Sequence, residues 1–182
     1  VPGVTARARI RTGAPVTAHP PGPPSPAQRD RTYPSSRWGL ELLDVVEEEG
    51  IAPERVVVCH MDRTLFEEPD YQRELASRGA YVEFDLWGLS EYVARYDDGY
   101  PSDAWRAETV AGLIDAGHAD RLLFSHDVHM KVQRRAYGGF GYSHLLENVV
   151  PMLRSRGVER ETIDTILVDN PARWLAFDEP EG

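Results

Sequence analysis

Four polar side chains that could bind a metal stand at or near the ends of short apolar runs in the sequence. They are His19, His60, Asp85 and Asp127. Imidazole nitrogens and carboxylate oxygens together suit a borderline-soft divalent ion such as zinc, manganese or cobalt. A single histidine in such a position is more often a half-buried structural residue than a ligand. Several residues aligned in this way favour a metal site.

Two neighbouring side chains are candidates for a substrate pocket. Trp87 lies just past the run that ends at Asp85, and His129 lies two residues after Asp127. His129 could supply a ligand or a substrate contact, as could His126. Histidines in loops more often face solvent, and this is the alternative for both. The remaining tryptophans lie at helical spacing and are expected in the core: Trp38, Trp105 and Trp174.

The elements that must position these side chains alternate between apolar runs and stretches of helical period. We predict strands at 14–19, 55–60, 80–85 and 121–125, and helices at 38–49, 69–78, 102–116, 142–156 and 159–167. Such alternation is typical of an α/β fold with a parallel sheet, in which the carboxyl ends of the strands meet at one edge. We therefore expect the ligand atoms of His19, His60 and Asp127 to lie within roughly 8 Å of one another. The Pro-rich segment 20–34 is expected to form a loop over this site.

The composition of the 182-residue chain limits the kinds of partner that it can bind. Thirty acidic and 20 basic side chains give a formal net charge of −10, which disfavours nucleic acid and anionic lipid as partners. The only cysteine, Cys59, excludes an internal disulfide and fits a reducing, cytoplasmic environment. Because Cys59 precedes His60 in a predicted strand, we expect their side chains to point to opposite faces, with Cys59 in the core. No apolar run is long enough to span a membrane, which disfavours a membrane partner.

Several runs of the sequence resemble the phosphotriesterase family of the amidohydrolase superfamily, especially its phosphotriesterase-related branch. These runs are 12–19 (TGAPVTAH), 60–64 (HMDRT), 83–88 (EFDLWG), 125–129 (SHDVH), 137–144 (YGGFGYSH) and 170–175 (NPARWL). The resemblance implies a (β/α)₈ TIM barrel with two bridged divalent metals, for which zinc is the best candidate. It implies that His19 and His60 are ligands from strands five and six, and that Asp127 is the strand-eight aspartate. In the family this aspartate binds one metal and accepts a proton from the attacking hydroxide, and Asp85 matches a position near the pocket.

Parts of the family's metal site have no counterpart in this sequence. No His-x-His pair precedes His19, and the only lysine is Lys131, so the carboxylated lysine of the family is also missing. We therefore expect residues 1–182 to form only the C-terminal half of the barrel, about strands 5–8, with an incomplete site that holds at most one ion. A longer parent protein would hydrolyse an ester, lactone, amide or phosphotriester bond, whereas the chain alone would be inactive.

A further departure from the family concerns the reaction. Leu86 and Arg63 stand where true phosphotriesterases have a histidine–aspartate proton relay, which favours an ester or amide of a small metabolite. The alternative function is a metal-free half-barrel that acts as an interaction or assembly module. The open edges of a half-barrel also predict self-association.

Overall fold

Short strands of mostly β-branched and aromatic residues form a parallel sheet, in which the strands lie in the order 16–18, 56–58, 81–84 and 122–124. The computed structural model describes residues 2–20, 37–64, 70–89, 92–93 and 98–179. The strands are β1 (Val16–Ala18), β2 (Val56–Val58), β3 (Tyr81–Phe84), β4 (Tyr92–Val93), β5 (Asp98–Gly99) and β6 (Leu122–Phe124), with β4 and β5 forming a separate antiparallel pair. The four predicted parallel strands are confirmed, each shorter than its apolar run.

Helices lie before, between and after the strands of the parallel sheet, and those between the strands make the crossovers that parallel connections require. They are α1 (Pro2–Thr12), α2 (Trp38–Glu48), α3 (Tyr71–Ser77), α4 (Asp103–Asp115), α5 (Val150–Arg154), α6 (Arg160–Asp164) and α7 (Asn170–Leu175). A π-helical turn, Leu145–Val149, precedes α5, and another, Thr165–Asp169, joins α6 to α7. Short 3₁₀ turns occupy Pro53–Arg55, Met61–Thr64, Ala119–Arg121, Lys131–Gln133 and Arg135–Tyr137. None of the described helices is long and apolar enough to span a bilayer.

Both faces of the sheet are buried, because side chains alternate between them along each strand. Val56 and Val58 belong to the large cluster that packs against the helices. Val57 faces the other way and joins Tyr81 and Leu123 in a second buried cluster, against which Trp174 of α7 packs. The second cluster corresponds to the inner face of a barrel. Because both faces of the sheet are buried, the strand sequences are continuously apolar rather than alternating.

Three sequence-based expectations about these elements need correction or limitation. Residues 2–12 form α1, which the sequence did not predict, and Arg9 of this helix forms an ion pair with Asp178. Trp105 was expected in the core but is 44% exposed, because α4 turns this position towards solvent. The loop predicted at 20–34 lies, apart from Pro20, outside the described residues.

Candidate functional site

His19 and His60 meet at the carboxyl edge of the sheet. Their ring centroids are 4.5 Å apart and the rings are nearly perpendicular. His60 has a φ angle of 59°, and Asp127 has a φ angle of 45°; no other non-glycine residue in the described part of the chain has a positive φ. Residues other than glycine seldom adopt this left-handed backbone conformation, and those that do often lie at functional sites. The two left-handed residues are both predicted metal ligands.

Asp85 fixes the orientation of the His60 ring. The His60 backbone N–H donates to Asp85 Oδ2 at 3.1 Å, and His60 Nδ1 lies 2.8 Å from Asp85 Oδ1. When Nδ1 donates to the carboxylate, Nε2 keeps its lone pair for a metal, an arrangement common in zinc sites. Burial, followed by the nearby Arg63 charge, lowers the pKa of His60 to about 4, so the ring is neutral at pH 7. Burial also raises the pKa of Asp85 to about 7.

Asp127 lies close enough to both histidines to affect their protonation. Its carboxylate raises the pKa of His19 and of His60, although burial dominates and lowers the pKa of each ring. The repulsion between the two rings lowers the pKa of His19 further. The His19 and His60 rings are thus in contact, and Asp127 follows β6 at the same edge of the sheet, while a shared metal site of the three residues stays a prediction. Both rings can offer an unprotonated nitrogen to a cation at neutral pH.

Cys59 belongs to the same group of side chains, which the sequence did not predict. The ligand atoms of Cys59, His60 and Asp85 lie within 4.8 Å of one another. Strand alternation fails here because β2 ends at Val58 and His60 adopts a left-handed conformation, so the expectation of opposite faces is wrong. The expected burial of Cys59 is confirmed. Burial raises its thiol pKa to about 12, and the thiol donates to Ala18 O at 3.1 Å, so it stays protonated.

The residues predicted to contact substrate lie at different depths. Trp87 is fully buried, with its ring centroid 5.3 Å from that of Phe124, so it supports the edge from within the core. His129 is exposed, and its Nδ1 lies 2.7 Å from Asp127 O. Gln133 braces this loop, because its Oε1 accepts the His129 N–H at 2.8 Å. The pocket roles of Asp85, Trp87 and His129 stay predictions.

His126 is buried rather than solvent-facing, contrary to expectation. Its Nε2 accepts the Leu145 N–H at 3.1 Å, and its ring stacks on Phe140 at 6.4 Å. The ring therefore joins the loop after β6 to the following helical turn. Its partners come from later in the chain, and nothing in the local sequence indicates them.

A buried chain of charged groups underlies the site, and sequence reasoning missed it. Arg106 is fully buried; its Nε donates to Asp62 Oδ2 at 2.9 Å and its Nη1 to Asp103 Oδ1 at 2.7 Å. His144 Nε2 lies 2.6 Å from Asp103 Oδ2. Asp62 also accepts the Leu86 N–H at 3.0 Å. These contacts join the turn after His60, the loop after β3, helix α4 and the helical segment after β6.

Comparison with known proteins gives consistent matches over most of the chain. The sequence profile described as the phosphotriesterase family matches residues 1–175. The N-acetyltaurine hydrolase of Danio rerio is 37% identical over 175 residues, which cover 95% of this chain and 46% of that protein. The phosphotriesterase-related protein of Nematostella vectensis matches with the same identity and coverage. The chain thus spans about half the length of the curated relatives it matches.

Solved structures match in the same way. A resiniferatoxin-binding protein from Rhodobacter sphaeroides superimposes with a TM-score of 0.83 at 36% identity, over 97% of this chain and 47% of that one. The phosphotriesterase homology protein from Escherichia coli, complexed with phosphate in its active site, gives a TM-score of 0.74 at 27% identity, over 97% and 53% of the two chains. Four parallel strand–helix units therefore correspond to about half of a (β/α)₈ barrel.

Proposed function

Because the chain belongs to the phosphotriesterase family, we propose that it supplies metal ligands and the proton acceptor of a divalent-metal-dependent hydrolase. The observation that carries the proposal is the contact between the His19 and His60 rings, with His60 oriented by Asp85 and with Asp127 close enough for its charge to act on both rings. The donor set fits zinc, because both rings are neutral at pH 7 and a carboxylate stands beside them. The single, buried Cys59 fits a cytoplasmic location.

Each residue has a distinct task in this proposal. His19 and His60 would hold the ion through ring nitrogens, and Asp85 would keep His60 Nδ1 protonated so that Nε2 faces the ion. A zinc ion held there would lower the pKa of a bound water toward about 7. Asp127 would accept the proton of the attacking water at a carboxylate oxygen. The charge of Asp127 already acts on both histidines, which supports this role.

We propose an amide, ester, lactone or phosphotriester of a small molecule as the substrate, with an N-acyl amide first. The N-acetyltaurine hydrolases among the relatives support the amide. Arg63 in place of an acidic relay residue removes a proton acceptor from the site, which weighs against organophosphates.

Zinc binding and hydrolysis test the proposal in two steps. We expect the purified protein to bind one Zn²⁺, and His60→Ala to abolish this binding, whereas His118→Ala, at the end of α4 and outside the site, keeps it. The protein should hydrolyse N-acetyltaurine when co-expressed with the part of the Danio rerio relative that it does not match, and Asp127→Asn should remove the activity. A protein that binds no zinc and hydrolyses no candidate in this pairing contradicts the proposal and favours the metal-free assembly module.

A further inference from the structure

Arg63 projects from a turn whose position is fixed on both sides. The 3₁₀ turn Met61–Thr64 directly follows His60, and the Arg63 N–H donates to His60 O at 3.1 Å. Gln72 of α3, which is buried, donates to Met61 O and to Thr64 Oγ1, both at 2.8 Å. Asp62, on the other side of Arg63, is fully buried against Arg106. The backbone that carries Arg63 therefore has little freedom to move away from the site.

The Arg63 guanidinium acts on the predicted metal ligands. Its charge lowers the pKa of His19 and is the largest electrostatic influence on His60 after burial. It also lowers the pKa of Asp85, against the effect of burial. Because its charge acts on residues that directly follow β1, β2 and β3, Arg63 lies at the carboxyl edge of the sheet, near the predicted metal ligands.

Arg63 has no partner for its charge in the described part of the chain. Its Nε is buried without a hydrogen-bond partner, and no carboxylate there forms an ion pair with it. The carboxylate of Asp62 is engaged by Arg106, and that of Asp85 by His60. The Arg63 side chain as a whole is half-buried, so its remaining guanidinium nitrogens are open to a ligand. The planar donors of a guanidinium match carboxylates and related anions in a two-pronged contact, and buried donors are ordinarily paired. A guanidinium whose Nε is buried and unpaired, next to the predicted metal ligands, is suited to bind an anion.

We propose that Arg63 binds an anionic group of the substrate, a carboxylate or a sulfonate, and thereby selects negatively charged acyl compounds over neutral ones. This proposal rests on the proposed hydrolase function, because only that function makes the bound anion part of a substrate. It predicts that neutral esters and phosphotriesters bind poorly, because they leave the guanidinium unpaired. The arginine's permanent charge makes this preference independent of pH near neutrality.

Calorimetric titration with matched compounds tests the anion subsite. The probes are N-acetyl-β-alanine, its uncharged amide and its sulfonate analogue, titrated into the protein with and without Zn²⁺. We expect both anions to bind about 10- to 100-fold more tightly than the amide, the range for a hydrogen bond to a charged group. The stronger of the two anions identifies the preferred group. Arg63→Gln should remove the preference, Arg63→Lys should keep part of it, and Arg73→Gln, an exposed change of equal charge, should leave it intact.

The outcomes separate this proposal from the hydrolase proposal. If the amide binds as tightly as both anions, or if Arg63→Gln retains the preference, the anion subsite is wrong whatever the protein hydrolyses. If no zinc binds but the anions still bind through Arg63, the metal-dependent function fails and the anion subsite stands. Circular dichroism shows whether each variant is folded. If Arg63→Gln does not fold, the anion preference of Arg63→Lys is compared with that of the wild type instead.

Discussion

Arg106 Nε lies 2.9 Å from Asp62 Oδ2, and both side chains are completely buried. The guanidinium uses its other nitrogens to donate to Asp103 and to Leu89 O, at 2.7 Å each. Asp62 lies two residues after His60, and Leu89 follows the loop that contains Asp85. The pair therefore fastens α4 to the two loops that carry the His60–Asp85 hydrogen bond. A buried ion pair of this kind serves to position loops, since its own contribution to stability is largely offset by desolvation.

Removing the Arg106 guanidinium should destabilise the fold strongly. Arg106→Met leaves the buried carboxylate of Asp62, and the half-buried one of Asp103, without the guanidinium, and breaking a buried pair typically costs about 3–5 kcal/mol. Urea unfolding of the wild type and the variant measures the difference. The exposed Arg73→Gln is the matched control, for which we expect less than about 1 kcal/mol. A change in Arg106→Met as small as that of the control would show that the buried pair does not hold the loops.

The orientation of His60 by Asp85 should determine metal affinity. Asp85→Asn keeps the side-chain shape but weakens the hydrogen bond to His60 Nδ1, and changes of this type typically cost 10- to 100-fold in affinity. Zinc competition with a chelating dye measures the affinity. His60→Ala should abolish binding, while His118→Ala should leave it unchanged. Equal zinc affinity in Asp85→Asn and the wild type would contradict the orienting role.

The strand-end rule located most of the candidate site in the sequence. His19, His60, Asp85 and Asp127 each follow a parallel strand, and the topology alone brings such residues to one edge. The rule could not find Arg106, because its partner Asp62 lies 44 residues away and no spacing relates them. Contacts of that kind arise from packing between loops and a helix. Local sequence patterns do not indicate such contacts.

The elements of the fold were predictable to a similar extent. The apolar runs indicated all four parallel strands, and Ser102 caps α4 as expected, with its Oγ accepting the Trp105 N–H at 3.3 Å. The helix α1 escaped prediction because its side chains show little amphipathic pattern, with Ala6 buried in the core. Its partners, including Asp178, come from the far end of the chain.

Glu83 should make stability depend on pH. Burial, followed by the charge of Asp85, raises the pKa of Glu83 to about 8, from 4.5. Between these values the folded protein keeps a proton that the unfolded chain releases, so with respect to this group stability is highest below about pH 4.5 and declines as the pH rises to about 8. Urea unfolding of metal-free protein at pH 5 and pH 8.5 measures the decline. We expect Glu83→Gln to show a smaller loss of stability between the two pH values, and the exposed Glu161→Gln to show the same loss as the wild type. An equal loss in both variants would mean that other groups cause the pH dependence.

The unpaired edges of the sheet should cause the chain to associate. β1 and β6 are the outer strands of the described parallel sheet, and such edges offer free backbone hydrogen-bonding groups to a second chain. Thr17 lies at the centre of β1 with its side chain exposed, so Thr17→Lys places a charge on that edge and should reduce association. Sedimentation velocity at several protein concentrations measures the effect, with the exposed Ser155→Lys as a control of equal charge. We expect dimers or larger species in the wild type and the control, and a shift towards monomer in Thr17→Lys. A wild-type protein that sediments as a single monomeric species and unfolds in one sharp transition would contradict association through the open edges.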